Sequence, residues 1–581
     1  MDKMYYTNER NVQIVISLLK AHGIKRVIAS PGTTNMTFVG SIQNDPWFTI
    51  YSSVDERSAA YLACGLAEET GEPVVLSCTG ATASRNYMSG LTEAYYRKLP
   101  VLAITSHRGN EKIGHLLDQQ IDRRSLPNDV ARISVTIPHV HDAVEENFCI
   151  IEASKAILEL THRGGGPSHI NLFTKYSRDF SVKELPPIRI IRRITDINNK
   201  PLLSKESKLA INIGSHKPFS VEETEAIDRF CEVYNSFVIC DRTSGYKGEY
   251  GIHYSLLGAQ KYDNVSRMSF DKVIHIGEVS GDSYGHAFNT KEVWRVSEDG
   301  EIRDSFGKLT YVFELREKDF FKSYIPAEYI KNVSQYKYVK SEYQRVYSQI
   351  PELPFGNLWI AKTIHDKLPL CSEIHLGIYN SYRSWNFFEV DKSIKSNCNV
   401  GGFGIDGGLS TLVGASLANS KKLYFGVFGD LAFFYDMNVL GNRHVGKNLR
   451  ILLINNGRGN EFRLSMHPCN IFGDDADEYM AAAGHYGNKS ADLVKHYSED
   501  LGFKYLTASN KSEFEKTVIE FLDTRIGEKS ILFEVFTKME DEREALDNIM
   551  VATGNMTNKL RKSIADSSLG EPLRKIRDLL K

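Results

Sequence analysis

Two apolar runs constrain the fold of this chain more than any other feature. Leu423 to Phe428 reads as a strand buried on both faces that ends at Gly429-Asp430-Leu431, and Ile451 to Ile454 repeats the pattern before Asn455-Asn456-Gly457. Runs of that kind belong to parallel sheets flanked by helices. Two neighbouring strand ends then bring an Asp and an Asn together, and a carboxylate, an amide oxygen and a nearby backbone carbonyl are hard ligands suited to Mg²⁺ with phosphate oxygens in its remaining positions. Either motif alone is no more than a turn. Together, at this separation, they read as a metal-diphosphate clamp.

The rest of the chain alternates strand-like and helix-like segments in the same way, so the expected class is α/β with doubly wound parallel sheets. In the first part Arg26 to Ala29, Phe48 to Ser53, Val74 to Ser77, Val101 to Thr105 and Ile133 to Ile137 are strands. Between them lie helices such as Glu56 to Glu69. The organisation read from this is a domain over 1–182, a basic linker, a middle domain over 200–350, a third domain over 356–540 that holds the clamp, and a charged helical tail over 541–581. The middle part lacks a G-x-G-x-x-G spacing, which argues for a structural domain without a bound nucleotide or flavin. Lys318 to Tyr347 reads as a charged helical stretch leading out of it.

Composition excludes several classes of function. The 71 Lys and Arg nearly balance the 73 Asp and Glu, so neither a nucleic-acid footprint nor an electrostatically bound membrane surface is indicated. Small molecules are the expected partners. The 8 cysteines are scattered without Cys-x-x-Cys spacing, which suits reduced thiols better than a disulfide framework. With no signal-peptide pattern and no long apolar run, the expectation is a cytoplasmic protein.

Further motifs sharpen this. Ser30-Pro31-Gly32-Thr33, Asp55-Glu56-Arg57-Ser58-Ala59-Ala60, Gly80 to Asn86 and Gly166-Pro167-Ser168-His169-Ile170-Asn171 resemble the successive motifs of the pyrimidine-binding domain of thiamine-diphosphate enzymes. Gly429-Asp430-Leu431 with Asn455-Asn456 resembles their diphosphate motif. Within that superfamily, Gly404-Ile405-Asp406-Gly407, Leu409-Ser410-Thr411 and Tyr435-Asp436-Met437-Asn438 are most similar to the synthases of 2-succinyl-5-enolpyruvyl-6-hydroxy-3-cyclohexene-1-carboxylate. The resemblance covers all three domains.

That resemblance implies thiamine diphosphate and Mg²⁺ as cofactors. The reaction implied is decarboxylation of a 2-oxo acid with transfer of the acyl carbanion to an acceptor, a C–C bond-forming step. Glu56 would hydrogen-bond N1′ of the aminopyrimidine and promote the imino tautomer that takes the C2 proton. Ile405 would bend the cofactor from beneath, and the carbonyl of Phe403 would accept from its 4′-amino group. Asp430, Asn456 and the carbonyl of Arg458 would hold the metal, with Gly32, Gly80, Asn86, Gly429 and Leu431 completing the cofactor site. The resemblance further implies a homodimer or homotetramer in which Glu56 of one subunit completes the site formed by Asp430 and Asn456 of another. A simple 2-oxo acid decarboxylase and a hydrolase of cyclic diketones use the same apparatus and stay open. A catalytically silent subunit would lack the carboxylate or the metal ligands, and both are present.

The departures fall on the substrate side. Thr34 after Thr33, Val400 after Asn399 and Trp385 four residues after Ser381 stand where the synthases have arginines, and each lost guanidinium removes a bidentate carboxylate partner. A less anionic donor such as pyruvate, or a bulky acceptor such as an activated sugar, would suit such a pocket. Arg108 and Gln119 match substrate-contact positions, and Arg383 could replace part of the missing charge. Phe462, His467 and His485 lie near or within Arg463 to Lys489, a segment without a counterpart in the synthases; either histidine is a candidate acid or base.

Overall fold

The computed structural model describes residues 5–485 and 489–554, so most of the expected tail lies outside the described residues. Among these described residues three parallel sheets of six, seven and six strands form, as the alternation of runs predicts. The chain divides into two compact units, 1–199 with 293–314 and 200–292 with 315–581.

In the first unit β1 (Arg26–Ala29), β2 (Thr49–Ser52), β3 (Val74–Cys78), β4 (Val101–His107), β5 (Ile133–Ile137) and β6 (Ser168–Phe173) assemble in the order β2-β1-β3-β4-β6-β5. Successive side chains of a strand point to opposite faces. Val27, Val75, Leu102 and Ile104 therefore pack on one side with the helix Arg10–Ala21, while Ile28, Val74, Leu76, Val101 and Ala103 pack on the other with the helix Glu56–Thr70. Burying a side chain of this size contributes about 1.5–3 kcal/mol. Two cores on one sheet are what make it doubly wound.

The middle strands are β7 (Arg192–Ile194), β8 (Leu209–Ile213), β9 (Val238–Cys240), β10 (Gly251–Ile252), β11 (Ser269–Ile276), β12 (Asn289–Val296) and β13 (Leu309–Phe313). The second unit holds the order β10-β9-β8-β11, and β12-β13-β7 run together. The charged stretch after them forms two helices, Glu317–Tyr324 and Ser334–Ser348. Pro326 explains the break, because it drives the preceding Ile325 to an extended ψ of 115°.

The last sheet, also in the second unit, contains β14 (Glu373–Leu376), β15 (Lys395–Cys398), β16 (Tyr424–Gly429), β17 (Leu449–Asn455), β18 (Lys504–Ala508) and β19 (Ile531–Phe536) in the order β15-β14-β16-β17-β19-β18. Position for position this is the strand order of the first sheet. All eight cysteines are free, and five of them are buried. Among the described residues no helix is long and apolar enough to cross a membrane.

Candidate active site

In the last sheet the chain leaves β14 for β15 and returns past β14 to β16, so the winding reverses between β14 and β16. Ligands of open parallel sheets bind beyond the C-terminal strand ends at such a reversal. A cavity of about 350 Å³ lies there. Its lining combines Tyr379 and Ser381 after β14, Phe403 and Ile405 after β15, Gly429, Asp430 and Leu431 after β16, and Asn456 and Arg458 after β17. Phe462 and His467 complete it, so residues scattered over the last third of the sequence meet in one place.

The clamp residues differ in how they are held. Asp430 is 4 % exposed, and burial pushes its carboxyl up to about 6 although the backbone N–H groups of Leu431, Gly457 and Arg458 pull it down. Asn455 is turned away from this work. Its Nδ2 donates to Glu534 Oε1 at 2.8 Å and its Oδ1 accepts from the N–H of Gly457 at 3.2 Å. The Oδ1 of Asn456, by contrast, is buried and finds no hydrogen-bond partner among the described residues. A buried acceptor left alone costs about 1–3 kcal/mol, which a cation beside it would offset. Among the described residues no three His, Cys, Asp or Glu cluster as metal ligands. A cation here would thus rest on one carboxylate, one amide and a carbonyl, and would need a ligand's oxygens to fill its shell. A Cβ built on Gly429 meets nothing within 4 Å, so the turn leaves room for such a ligand.

The walls are braced from several elements. Tyr379 and Phe403 have φ of 62° and 54°, a region costly for residues with a Cβ, and their rings meet edge to face at 5.2 Å. Asp436 accepts from Ser410 N and Oγ, both at 2.6 Å, and so pins the helix Gly408–Leu417 that follows Ile405. Elsewhere on the lining the N–H of Asn357 donates to both oxygens of Glu542 at 3.0 Å, capping the helix Asn357–Ile364, while its Nδ2 donates to Ser381 Oγ at 3.2 Å. Burial pushes Glu542 up to about 7.

Not every candidate reaches the cavity. Trp385 is fully buried and gives its carbonyl to Arg242, and Val400 is 3 % exposed, packed with Phe403 against Gly281. Both are core residues here and line no part of the cavity. His467 Nδ1 accepts from the N–H of Cys469 and its ring meets Phe462 at 5.1 Å. His485 is exposed and outside the lining. Arg383 is bound by two parallel hydrogen bonds to Glu461, and this pair holds its charge more firmly even though burial works against it. Glu461, Asn357 and Glu542 carried no signal in the sequence, since each meets its partner across a long separation.

The first unit repeats the reversal between β1 and β3. Gly32 is required there, because a Cβ on it would lie 2.5 Å from Thr79 Cβ. Thr33 is exposed, whereas Thr34 points inward: its Oγ1 lies 2.6 Å from Thr79 Oγ1 and accepts from the N–H of Gly80 at 3.2 Å. A Cβ on Gly80 would sit 3.1 Å from the carbonyl of Ser106. Glu56 opens the helix Glu56–Thr70, whose N-terminus Asp55 caps by accepting from Ser58 N at 3.2 Å. Asn86 Nδ2 donates to Glu56 Oε2 at 3.2 Å, so those two candidates meet. Arg108 donates to the carbonyl of Asp118 and lies 3.4 Å from its carboxylate, beside an exposed Gln119 with φ of 59°.

Comparison with known proteins agrees with this geometry. Residues 10–126 match the family described as thiamine pyrophosphate enzyme, N-terminal TPP binding domain. A 2-succinyl-5-enolpyruvyl-6-hydroxy-3-cyclohexene-1-carboxylate synthase of Bacteroides thetaiotaomicron is 31 % identical, over 93 % of this chain and 98 % of that protein. The synthase of Phocaeicola vulgatus is 30 % identical with the same coverage, and that of Desulfotalea psychrophila 26 % identical over 89 % of this chain and 96 % of its own.

Proposed function

This chain belongs to the family of 2-succinyl-5-enolpyruvyl-6-hydroxy-3-cyclohexene-1-carboxylate synthases, within the thiamine-diphosphate enzymes, and from that premise we propose how its residues divide the reaction. The enzyme decarboxylates a 2-oxo acid and passes the acyl carbanion to an acceptor, forming a C–C bond. When bound, thiamine diphosphate supplies the electron sink for loss of CO₂. Asp430, Asn456 Oδ1 and the carbonyl of Arg458 hold Mg²⁺ against the diphosphate. The observation that carries this is the buried Oδ1 of Asn456, unpartnered among the described residues, in the same cavity as a buried Asp430.

Ile405 and the Phe403 carbonyl, both on the cavity lining, would hold the cofactor's aminopyrimidine. Glu56, oriented by Asn86, serves the pyrimidine ring and manages its proton. We assign the working form to a cytoplasmic homodimer or homotetramer in which Glu56 and the Asp430 clamp come from different subunits. Support for this comes from the partial exposure of Glu56 and from the uncovered Val54, Tyr61 and Leu62 around it. Calorimetric titration of thiamine diphosphate with and without Mg²⁺ tests the clamp. Asp430→Ala should weaken Mg²⁺-dependent affinity on the order of a hundredfold, and unchanged affinity would overturn it.

A further inference from the structure

In the first unit a positive charge lies buried among neutral partners. Arg123, in the segment that follows Gln119, is 2 % exposed. Its Nη2 donates to the carbonyl of Ser106 at 3.2 Å and to Asn171 Oδ1 at 2.8 Å, whereas Nε and Nη1 find no hydrogen-bond partner among the described residues. Burial brings Arg123 down to about 10, so the guanidinium is still charged at neutral pH. Among the described residues the titratable groups that act on it are Cys78 and Arg85. Neither supplies a negative charge. Burial pushes the Cys78 thiol up to about 12, which keeps it protonated, and Arg85 is a second cation.

A small cavity adjoins this guanidinium. Its volume is about 10 Å³, and Arg123, Arg85, Ser84 and Thr105 line it with apolar side chains such as Leu91 and Leu126. That is room for one water-sized guest and too little for a carboxylate or a phosphate. His169, on the same lining, is no counter-charge either. Its ring nitrogens lie 2.7 Å from Thr105 Oγ1 and 2.8 Å from Ser134 Oγ, and burial pushes it down to about 3, so the imidazole is neutral. A guest beside Arg123 has two donor nitrogens to satisfy. Water accepts their hydrogen bonds but brings no charge, and a buried charge stays costly until it is paired. A monatomic anion does both, and the apolar part of the lining suits a weakly hydrated one.

We propose that this cavity is a halide site, in which one chloride ion accepts hydrogen bonds from Nε and Nη1 of Arg123 and neutralises its guanidinium. The site lies behind the segment Gly80 to Asn86. Arg85 Nη2 donates to the carbonyl of Asp122, the neighbour of Arg123, and Asn86 donates to Glu56. Chloride thus fastens the loop that carries Arg123 to the segment that bonds Glu56. The site stands on the contacts of Arg123 and holds whether or not the reaction is the one proposed.

The test uses the full-length protein dialysed into sodium gluconate, whose anion is too large for the cavity, with sodium chloride added at constant ionic strength. Chloride should raise the melting temperature along a saturating curve, by about 2–5 °C in total. Arg123→Met removes the charge while keeping an unbranched side chain, and should abolish the saturating rise. Crystals of the wild type grown in sodium bromide decide the matter if that variant does not fold. Bromide scatters anomalously, and one peak should stand within hydrogen-bond distance of Arg123 Nε and Nη1.

A wild-type melting temperature indifferent to chloride overturns the site, as does a saturating rise that survives in folded Arg123→Met. A cavity that shows no anomalous peak in bromide overturns it too, since the guanidinium would then be left to a neutral guest.

Discussion

The first and last sheets share one strand order, yet the acids at their strand ends live in different surroundings. Glu56 and Asp430 each begin a helix directly after a parallel strand or its short loop. Asp430 is buried, pushed up to about 6, and walled by residues of its own unit. Glu56 is partly exposed, follows a strand whose four residues are all at least partly open to solvent, and among the described residues has one side-chain donor, Asn86. The local pattern is the same; burial is not. The lesson is that one unit closes over its acid with its own residues, while the other leaves its acid partly open to solvent.

The largest expected effect separates the two acids by role. Glu56→Gln should leave thermal stability unchanged and lower turnover by about 10²–10⁴-fold, the usual range for a lost acid–base group; turnover near the parent's level would break the assignment. Mixing Glu56→Gln subunits with Asp430→Ala subunits sharpens it. If the two acids meet across subunits, an equimolar random mixture should regain about a quarter of parent activity, since half the dimers hold one intact site of two. No recovery would place both acids in one subunit's site.

A smaller effect concerns the brace behind the closed site. Burial lifts Glu542 from its ordinary 4.5 to about 7, so the folded protein holds this proton more tightly than the unfolded chain. The stability that results is complete below pH 4.5 and is lost as pH rises through about 7. In the cofactor-free protein, Glu542→Gln should therefore gain on the parent between pH 5 and pH 8, by on the order of 1–3 kcal/mol. Melting curves at the two pH values check it, and a constant gap between variant and parent would remove the buried proton from the account. The smallest effect belongs to the open site. Asn86→Ala removes one hydrogen bond from Glu56, worth about 1 kcal/mol, so turnover should fall several-fold with the melting temperature unmoved.

Much of this fold is legible in the residues because strands buried on both faces leave continuous apolar runs. Arg26–Ala29, Ile133–Ile137 and Leu309–Phe313 form as read, and the reversal points fall at Gly32 and Gly80 and at Gly429, where short polar motifs interrupt the runs. The meeting of Asp430 and Asn456 at one cavity is legible for the same reason, since a strand end fixes where each must sit. Side chains that act through distant partners are not. Nothing near Arg383 announces Glu461, 78 residues on, and nothing near Trp385 or Val400 shows that their place is the core. Thr34 reads as a pocket residue by position, but its hydroxyl ties two loops together within its own domain. Periodicity carries which face a residue takes; it does not carry who waits there.

The bond between Asn357 and Glu542 also has a consequence in time. The two residues are 185 positions apart, and chains grow at about 5–20 residues per second, so Glu542 leaves the ribosome on the order of ten to forty seconds after the helix it caps. During that interval the helix Asn357–Ile364 has an uncapped N-terminus and the wall of the cavity lacks its brace. The newborn enzyme must therefore wait for its catalytic chamber, and a chaperone or a premature ligand would meet an open room before it met a finished one.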